Sequence, residues 1–395
     1  MSRPQRIALV VQRYGPEVNG GAETAARAIA EHLATRLEVH VLTTCAVDYT
    51  TWANVYPAGT TQLNGVHLHR FPVDAARDWG RAQKETGRFL QQEHTLEDEI
   101  AWVRQAGPFA TPLLQFIKRS ATDFDAFIFF TYLYATTCLG LPLVAHKAIL
   151  VPTAHDEPFL YMEIFRRLCR LPRHIIYLTH AEQELVQRIT GNRAVPSSVL
   201  ALGIDPPSQP RPERFRQKYQ VQGDFLLYGG RISEAKNVPE LLDYFQRYLA
   251  SHPRPGQLIL MGQSTIPLPT HPQIRAIGFV SEQDKQDALS AATLVVLPSL
   301  FESLSIIILE AWLASVPVLV NGRCEVTRQQ CRLSNGGLYY TTYDEFVATL
   351  DRLLKTPALR AQLGQQGQQF VLQHYTWPII LDQYQNILHQ LQSPN

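Results

Sequence analysis

Two glutamates flank an apolar run in the second half of the sequence. Seven residues separate Glu302 from Glu310 in the segment FESLSIIILEA. The wholly apolar stretch 306–309 predicts a helix that opens near 303–305 and is buried on most faces, with Glu310 in its second turn. The free N–H groups of a helix N-terminus attract phosphate, and carboxylates accept hydrogen bonds from sugar hydroxyls. A phosphorylated sugar therefore suits this pattern, although an ordinary Glu310 on an exposed helix face also fits the spacing.

Two cations follow a predicted strand at 225–228. Arg231 comes directly after the pair Gly229-Gly230, and Lys236 lies five residues beyond Arg231. In open α/β sheets, ligands bind beyond the carboxyl ends of the strands. The glycines let a ligand approach the backbone, and the two cations could hold a diphosphate without a metal. An ordinary strand–turn–helix with basic surface residues fits this segment equally well when it is taken alone.

These residues need parallel sheets to position them, and the rest of the chain predicts two. Short β-branched or aromatic runs alternate with segments of helical period, which is typical of parallel α/β architecture. A length of 395 residues indicates two domains. The predicted strands are 7–11, 39–42, 127–130, 148–151 and 174–178 in the first half, and 225–228, 257–261, 274–279, 293–297 and 316–320 in the second.

Three segments interrupt or close this alternation. The proline-rich stretch 203–212 excludes both helix and central strand, so we expect the linker between the domains there. Residues 78–119 form a polar, mostly helical insertion that either shapes a substrate site or is a solvated helical surface. Apolar residues at helical spacing in 377–391 predict one amphipathic helix at the end.

Composition excludes several classes of protein. Lys and Arg total 36 against 35 Asp and Glu, so no net positive field exists to attract nucleic acid. The five cysteines show no C-x-x-C spacing, and the first apolar run is too short for a signal peptide, so we expect a reduced, cytoplasmic protein. Residues 126–146 lack charged side chains, but their β-rich ends and the Thr, Gly and Pro between them indicate two buried strands joined by a short helix rather than a membrane span.

Two further patterns have competing interpretations. Asp123 and Asp125 form a D-x-D, the pattern that holds a metal when it follows a strand; here it precedes one, so we interpret it as a turn and expect no metal ligand. Arg166, Arg167, Arg170 and Arg173 could contact anionic lipid headgroups as a weak peripheral membrane association, although a solvated helix face is the favoured interpretation. The glycines near residue 20 do not form G-x-G-x-x-G, which argues against nicotinamide binding.

Taken together, GGRISEAKN followed by PSLFESLSIIILEA resembles the retaining group 4 glycosyltransferases of the GT-B fold, the glycosyl transferases group 1. PEVNGGAE after the first strand and His155-Asp156 after AILVP also stand where that family keeps a glycine loop and a donor-side histidine. The resemblance implies two Rossmann-like domains facing a central cleft. Residues 1–205 would bind the acceptor, residues 206–376 would bind the nucleotide sugar, and a helix at 377–395 would cross back to the first domain.

The resemblance also implies a role for each candidate residue. Arg231 and Lys236 would neutralise the donor diphosphate, Glu310 would bind the ribose, and Glu302 would face the sugar. His155 would reach the transferred sugar from the other domain. Further donor contacts would come from backbone or side chains at Gly230, Gly278, Val280, Ser303, Leu304 and Ser305. The backbone at Gly20 and Gly21 would approach the same pyrophosphate or the acceptor. Where Ser303 and Ser305 stand, the family usually has glycine; the serines could donate to phosphate or cap the helix, and they narrow the space for the sugar.

The function implied is transfer of a sugar, with retention of configuration, from a nucleotide-diphosphate sugar to a hydroxyl of a glycan, a lipid-linked or a small-molecule acceptor. Such an enzyme would need no cofactor or metal, and it would fit cell-surface polysaccharide biosynthesis in the cytoplasm. Two alternatives stay open. A nucleotide-sugar 2-epimerase would need the same diphosphate and ribose contacts but no acceptor, and a non-catalytic subunit would bind the nucleotide sugar only.

Overall fold

The computed structural model describes residues 5–18, 20–252 and 256–392. The chain divides into two compact units. Unit 1 comprises Met1–Gly203 together with Trp377–Asn395, and unit 2 comprises Ile204–Thr376. The terminal segment therefore belongs to the same unit as the first half of the chain.

Unit 1 is built on one mostly parallel sheet. Its strand order is β3-β4-β2-β1-β5-β6-β7-β8, and β3 pairs antiparallel with β4. The strands are β1 (Arg6–Val10), β2 (Glu38–Thr44), β3 (Gly59–Leu63), β4 (Val66–Phe71), β5 (Ala126–Phe130), β6 (Ala148–Val151), β7 (His174–Tyr177) and β8 (Ser197–Val199). Every residue of β5 and β6 is buried, as expected for parallel strands covered on both faces.

The helices of the first part of the chain are α1 (Gly21–Leu33), α2 (Trp79–Phe89), α3 (Leu96–Ala106), α4 (Thr111–Arg119), α5 (Ala135–Gly140), α6 (Glu163–Leu168) and α7 (His180–Thr190). Short 3₁₀ segments cover Leu141–Lys147 and Pro158–Tyr161. Because β2 and β5 pair with β1 on opposite sides, the strand order reverses at β1. The carboxyl end of β1 is therefore a topological switch point, where α/β sheets bind ligands.

Unit 2 contains a wholly parallel sheet in the order β11-β10-β9-β12-β13-β14. Its strands are β9 (Phe225–Gly229), β10 (Gln257–Met261), β11 (Ile274–Gly278), β12 (Leu294–Leu297), β13 (Val318–Asn321) and β14 (Gly337–Tyr340). Its helices are α8 (Pro212–Tyr219), α9 (Val238–Ser251), α10 (Glu282–Ala291), α11 (Ile306–Leu313), α12 (Glu325–Ser334), α13 (Tyr343–Lys355) and α14 (Pro357–His374). Glu234–Lys236 form a 3₁₀ turn. The switch point of this sheet lies between β9 and β12.

The last helix, α15 (Trp377–Gln392), completes unit 1. The Trp377 ring stacks on His32 of α1 with 3.6 Å between ring centroids. A Cβ added to Gly203 would come within 2.4 Å of the same ring. Arg36 forms an ion pair with Asp382 at 2.5 Å. Burial of an aromatic ring of this size contributes a few kcal/mol, since Trp→Ala changes in cores cost about 3–5 kcal/mol.

The predicted α/β architecture with parallel sheets is confirmed, and each of the ten predicted strands is present with ends shifted by at most two residues. The sequence analysis missed β3, β4, β8 and β14. Edge strands β3 and β8 contain no fully buried residue, so they carry no apolar run to detect. The β3–β4 hairpin did carry a signal, because Asn64 and Gly65 have the positive φ values of a two-residue turn.

The insertion at 78–119 is helical as predicted, forming α2, α3 and α4. It is more than a solvated surface, because Trp102, Val103, Leu113 and Ile117 belong to the hydrophobic core of unit 1. Helix α2 by contrast buries no residue. The two later helices of the insertion therefore hold the segment in the fold.

Several smaller predictions agree with the structure. Asp125 lies in the turn before β5, where its Oδ2 accepts a hydrogen bond from the Arg6 amide at 2.7 Å. All five cysteines are buried and none is in a disulfide. Within the described ranges, none of the helices combines the length and apolarity required to cross a bilayer.

Candidate active site

The turn after β9 is fixed by its neighbours in unit 2. Tyr228 donates from its hydroxyl to the Arg231 carbonyl oxygen at 2.7 Å, which closes the turn over two glycines. Gly230 has φ 147°, in the region that favours glycine. A Cβ at Gly229 would lie 3.0 Å from Cδ1 of Ile307, so the first turn of α11 packs directly against this backbone. The predicted basic turn and the predicted helix are therefore neighbours.

Glycines also end the two adjacent strands. The Gly230 amide donates a hydrogen bond to the Met261 carbonyl oxygen at 2.9 Å, and the Gly262 amide donates one to the Gly278 carbonyl oxygen at 2.8 Å. A Cβ at Gly262 would come within 2.0 Å of the Gly230 carbonyl oxygen. Gly230, Gly262 and Gly278 thus line the carboxyl edge of β9, β10 and β11. The sequence analysis named the first and third and missed Gly262, whose position directly after a strand was the available signal.

Lys236 and Glu302 form an ion pair in unit 2. Lys236 Nζ lies 2.7 Å from Glu302 Oε1, and the lysine side chain is 37% exposed while the glutamate is 12% exposed. Lys236 ends the 3₁₀ turn after β9, and Glu302 lies in the loop between β12 and α11. The contact joins the two predicted motifs at the switch point of the sheet. A diphosphate that bound Lys236 would have to share it with Glu302.

The helix predicted near 303–305 begins at Ile306, with Ser305 as its N-cap residue. The Ser305 side chain is buried but makes no capping hydrogen bond, and Leu304 is also buried. Ser303 lies half-buried in the loop. The first N–H groups of α11 are therefore not capped by this serine, which leaves them suited to an anion.

Ser233, in the loop after β9, is a further polar group that the sequence analysis left without a role. Its hydroxyl is buried, and it has no hydrogen-bond partner among the residues that the structure describes. Val280 is half-buried after β11, whereas its neighbour Phe279 is 76% exposed. Ser233 follows β9 and Val280 follows β11, so both lie beyond carboxyl ends of strands in this sheet.

Glu310 lies in the second turn of α11 as predicted, but its main partner was not predicted. Lys285 of α10 forms an ion pair with Glu310 at 2.6 Å and with Glu282 at 2.9 Å. Burial raises the pKa of Glu310, and the lysine opposes that rise. Although burial acts to lower it, the Glu310 and Glu282 carboxylates raise the pKa of Lys285. Lys285 therefore orients the carboxylate, and no local pattern in the sequence indicated this pairing.

In unit 1, the glycine loop after β1 precedes a buried ion pair. Gly20 is the N-cap residue of α1, and Gly21, predicted to lie in the loop, is its first helical residue. Glu23 Oε1 accepts hydrogen bonds from Arg13 Nη2 at 2.5 Å and from Gln12 Nε2 at 2.8 Å. Arg13 and Glu23 are 5% exposed each. The sequence analysis missed this pair, although Glu23 lies two residues after Gly21.

His155 lies in the loop after β6, half-buried and within 3.3 Å of Glu157. Glu157 also accepts a hydrogen bond from the Tyr132 hydroxyl at 2.6 Å. The preceding residue, Ala154, donates its amide to the buried Glu182 at 2.6 Å, and the Leu178 amide does the same at 2.6 Å. Glu182 thus holds the loop that carries His155.

Two threonines beside this loop adopt strained backbone conformations. Thr131 has φ 65° and Thr153 has φ 51°, a region that β-branched residues rarely adopt. Their hydroxyls are 3.1 Å apart, and both residues are buried after β5 and β6. Strain of this kind clusters at functional sites, and no sequence pattern reveals it.

The arginines considered for lipid contact are largely engaged within unit 1. Arg166 and Arg167 form ion pairs with Glu163, at 3.6 and 2.7 Å. Arg170 donates to the Thr190 carbonyl at 2.7 Å. Only Arg166 and Arg167 lie on a helix, because α6 ends at Leu168; Arg170 and Arg173 lie in the turn before β7, so the predicted single helix face is wrong for these two.

Comparison with solved structures identifies the fold of the chain. The solved structure of HepE from Anabaena in complex with UDP and glucose has a TM-score of 0.71 at 16% identity, covering 98% of this chain and 100% of that one. Sucrose-phosphate synthase from Thermosynechococcus elongatus has a TM-score of 0.72 at 15% identity, covering 98% and 99%. These likenesses confirm the predicted fold, which is that of GT-B glycosyltransferases.

More particularly, residues 211–370, which lie within unit 2, match the family Glycosyl transferases group 1. The uncharacterized glycosyltransferase MJ1607 of Methanocaldococcus jannaschii is 25% identical over 188 residues, or 44% of this chain and 47% of that protein. Glycosyltransferase 1 domain-containing protein 1 of Xenopus tropicalis is 28% identical over 116 residues, or 29% and 32%. The chain thus spans about half of the first curated relative and a third of the second.

Proposed function

We propose that this chain transfers a sugar, with retention of configuration, from a nucleotide-diphosphate sugar to an acceptor hydroxyl, and that it needs no metal for the transfer. One observation carries the proposal. At the switch point of the unit 2 sheet, the Gly230–Arg231 turn, the Lys236–Glu302 pair and the N-terminus of α11 surround the carboxyl ends of β9 and β12. The acceptor is a glycan, a lipid-linked sugar or a small molecule, as in cell-surface polysaccharide synthesis.

The largest catalytic contribution in this proposal is stabilisation of the leaving diphosphate. Negative charge develops on it as the glycosidic bond breaks, and Arg231, Lys236 and the first N–H groups of α11 offset that charge. Preorganised donors of this kind contribute roughly 3 kcal/mol each to the transition state. Because Lys236 is already held by Glu302, its position is set before the donor binds.

Glu310 and Glu302 contact the two remaining parts of the donor, the ribose and the transferred sugar. Glu310, oriented by Lys285, accepts hydrogen bonds from the ribose hydroxyls. Glu302 faces the transferred sugar. The glycines at the ends of β9 to β11, with Val280 beyond them, admit the nucleotide to the backbone. In unit 1, His155 is assigned to the transferred sugar, and the backbone at Gly20 and Gly21 is assigned to the donor pyrophosphate or the acceptor.

The reaction needs no protein nucleophile. The acceptor oxygen forms its bond to the anomeric carbon on the face from which the diphosphate leaves, so the configuration is retained. The bond between the anomeric carbon and the phosphate oxygen breaks with its electron pair on the diphosphate. A donor phosphate oxygen takes the proton of the acceptor hydroxyl.

A panel of nucleotide sugars tests the proposal directly. HepE was solved with UDP and with UDP-glucose, so UDP-sugars come first, followed by GDP- and ADP-sugars. A donor present at 100 Kd should stabilise the protein by about 2.7 kcal/mol, visible as a raised Tm. The donor that binds is then prepared with a label in its sugar and incubated with the protein and candidate acceptors. The anomeric configuration of the product is determined by NMR.

Each outcome has a distinct meaning. Slow hydrolysis of the donor without acceptor, abolished in the Arg231→Ala variant, supports a transferase and excludes a non-catalytic subunit. Formation of an epimeric nucleotide sugar without acceptor would instead identify an isomerase. Inversion at the anomeric carbon would contradict the proposed geometry of attack.

A further inference from the structure

Three potential metal ligands converge on the amino-terminal side of the unit 1 sheet, away from the strand ends discussed above. Glu38, His40 and His67 each offer one ligand atom, and these atoms all lie within 4.8 Å of one another. Among residues 5–18, 20–252 and 256–392, no other group of three or more His, Cys, Asp or Glu side chains meets this criterion. The cluster has no role in the proposed transfer.

The sheet register explains why these side chains meet. Glu38 and His40 are two residues apart on β2, so both point to the same face. His40 is paired with His67 on the parallel strand β4, and their rings stack with 4.6 Å between centroids. Because strand pairing sets these positions, the cluster does not depend on a flexible loop.

We propose that Glu38, His40 and His67 bind one divalent transition-metal cation of the Zn²⁺ type. A carboxylate with two imidazoles is a donor set that such cations favour, and a tetrahedral site with bonds of 2.0–2.1 Å places its ligand atoms about 3.4 Å apart. Glu38 Oε1 and His40 Nε2 are already 2.9 Å apart. Small side-chain movements would bring the half-buried His67 into the same sphere.

The surroundings of His40 also match a metal site. Histidine ligands usually use their second ring nitrogen in a hydrogen bond that fixes the ring. His40 Nδ1 lies 2.8 Å from His69 Nε2, and His69 Nδ1 lies 3.0 Å from the Thr60 hydroxyl. If His40 Nε2 binds the cation, the hydrogen bonds from His40 to His69 and from His69 to Thr60 hold the His40 ring in place.

Arg6 is the competitor for the site. Its Nε lies 2.9 Å from Glu38 Oε1 and 3.0 Å from His40 Nε2, so the guanidinium occupies the side of the cluster where the cation would enter. The Arg6 side chain is 30% exposed and can turn towards solvent. Removing this positive charge should therefore strengthen metal binding. If the cluster has a purely structural role, Arg6 only stabilises Glu38, and removing Arg6 should not strengthen metal binding.

Equilibrium dialysis of the full chain against Zn²⁺, with metal analysis, tests the site. We expect one Zn²⁺ per chain, an affinity at least 10-fold weaker in His67→Gln and in Glu38→Gln, and a tighter affinity in Arg6→Gln. His146→Ala, which removes an exposed histidine elsewhere in unit 1, is the matched control and should bind like the wild type. Circular dichroism of each metal-free variant confirms that the fold is retained.

A loss of binding confined to the cluster variants, together with the gain in Arg6→Gln, supports the site. Unchanged affinity in both His67→Gln and Glu38→Gln would overturn it, as would failure of the wild type to bind Zn²⁺ stoichiometrically. Weaker binding in Arg6→Gln would also overturn it, since the cluster would then be an arginine-stabilised network. If His67→Gln does not fold, Glu38→Gln and Arg6→Gln decide the matter alone.

Discussion

Glu302 and Glu310 look equivalent in the sequence, yet their neighbours differ, and we have proposed different roles for them. Glu310 is oriented by Lys285 within the sheet–helix packing, while Glu302 pairs with the half-exposed Lys236 in a loop. If Glu310 holds the ribose, Glu310→Gln should weaken nucleotide diphosphate and intact donor about equally, because the ribose does not change during the reaction. Calorimetry with both ligands measures this effect.

The matched variant is Glu302→Gln, which should lower kcat without weakening the diphosphate. Contacts to the sugar ring strengthen as positive charge develops at the anomeric carbon, so their loss appears in the transition state. Steady-state kinetics beside the calorimetry separates the two glutamates. Equal loss of diphosphate affinity in both variants would show that the assignment is wrong.

The Lys236–Glu302 contact leads to a prediction about coupling. Lys236→Ala removes a cation and also leaves the Glu302 carboxylate uncompensated beside the diphosphate, so we expect transfer to slow by roughly 100-fold or more and diphosphate affinity to fall. Adding Glu302→Gln to Lys236→Ala should restore part of that affinity, because the repulsion is gone.

Lys218→Ala is the control for general loss of positive charge, since the exposed Lys218 pairs with the buried Asp284 of the same unit. It should leave diphosphate binding unchanged. Additive effects of Lys236→Ala and Glu302→Gln on affinity would contradict the coupling.

Glu182 makes the stability of unit 1 depend on pH. Burial raises its pKa to about 8, although the amides of Leu178 and Ala154 act to lower it. In the unfolded chain the pKa returns to about 4.3. Between these values the folded state holds a proton that the unfolded state has lost, so the free energy of unfolding falls as pH rises, by at most about 1.4 kcal/mol per pH unit.

Glu182→Gln removes this titration and should also cost about 1–3 kcal/mol, because the amide has only one acceptor oxygen for two N–H donors. The difference in thermal midpoint between wild type and variant should therefore be largest near pH 5 and shrink towards pH 8. A difference that stays constant over this range would contradict the proposed protonation.

At the scale of elements, the two glycines at the start of α1 have different surroundings. A Cβ at Gly20 would lie 2.1 Å from Glu23 Oε2, so Gly20→Ala should disturb the Arg13–Glu23 pair and destabilise unit 1 by about 1–3 kcal/mol. No atom lies within 4 Å of a Cβ at Gly21, so Gly21→Ala should leave stability unchanged or raise it by about 0.4–1 kcal/mol. Thermal melts compare the two variants.

The activity of Gly21→Ala then decides the role of the loop. If a ligand approaches this backbone, turnover should fall although the fold is intact. Full turnover in a stable Gly21→Ala variant would remove Gly21 from the site.

Elements with a local signature could be predicted, and tertiary pairings could not. The buried strands and α11 have contiguous apolar residues, so their positions follow from pattern alone. Lys285 reaches Glu310 from a different helix, and Arg13 reaches Glu23 across a loop. Such pairs depend on how the helices, strands and loops pack together, and the periodicity of apolar residues along the sequence does not predict that packing. The conformations of Thr131 and Thr153 likewise arise only in the folded chain.

At the scale of the whole molecule, the proposed catalytic chemistry and the proposed cation site should be independent. We expect turnover to survive excess EDTA, because in the proposed mechanism side chains and a helix N-terminus offset the negative charge of the donor diphosphate. Zn²⁺ bound at Glu38, His40 and His67 should raise the Tm, and EDTA should reverse that rise. Activity that is lost on chelation and restored by Mn²⁺ or Mg²⁺ would refute metal-independent transfer and reopen the role of Asp123 and Asp125.

The place of α15 in unit 1 has a consequence for synthesis on the ribosome. The buried face of α15, which includes Trp377, Ile380, Tyr384 and Leu388, completes a unit whose other elements emerge long before it. At 5–20 residues per second, the roughly 170 residues of unit 2 delay that helix by on the order of 10 to 30 s. Unit 2 is one continuous stretch and can close during this interval. Until α15 emerges, we expect the nascent first unit to expose the apolar surface around His32 and Gly203, where chaperones can bind. Unit 1 is therefore translated first but completes its folding last.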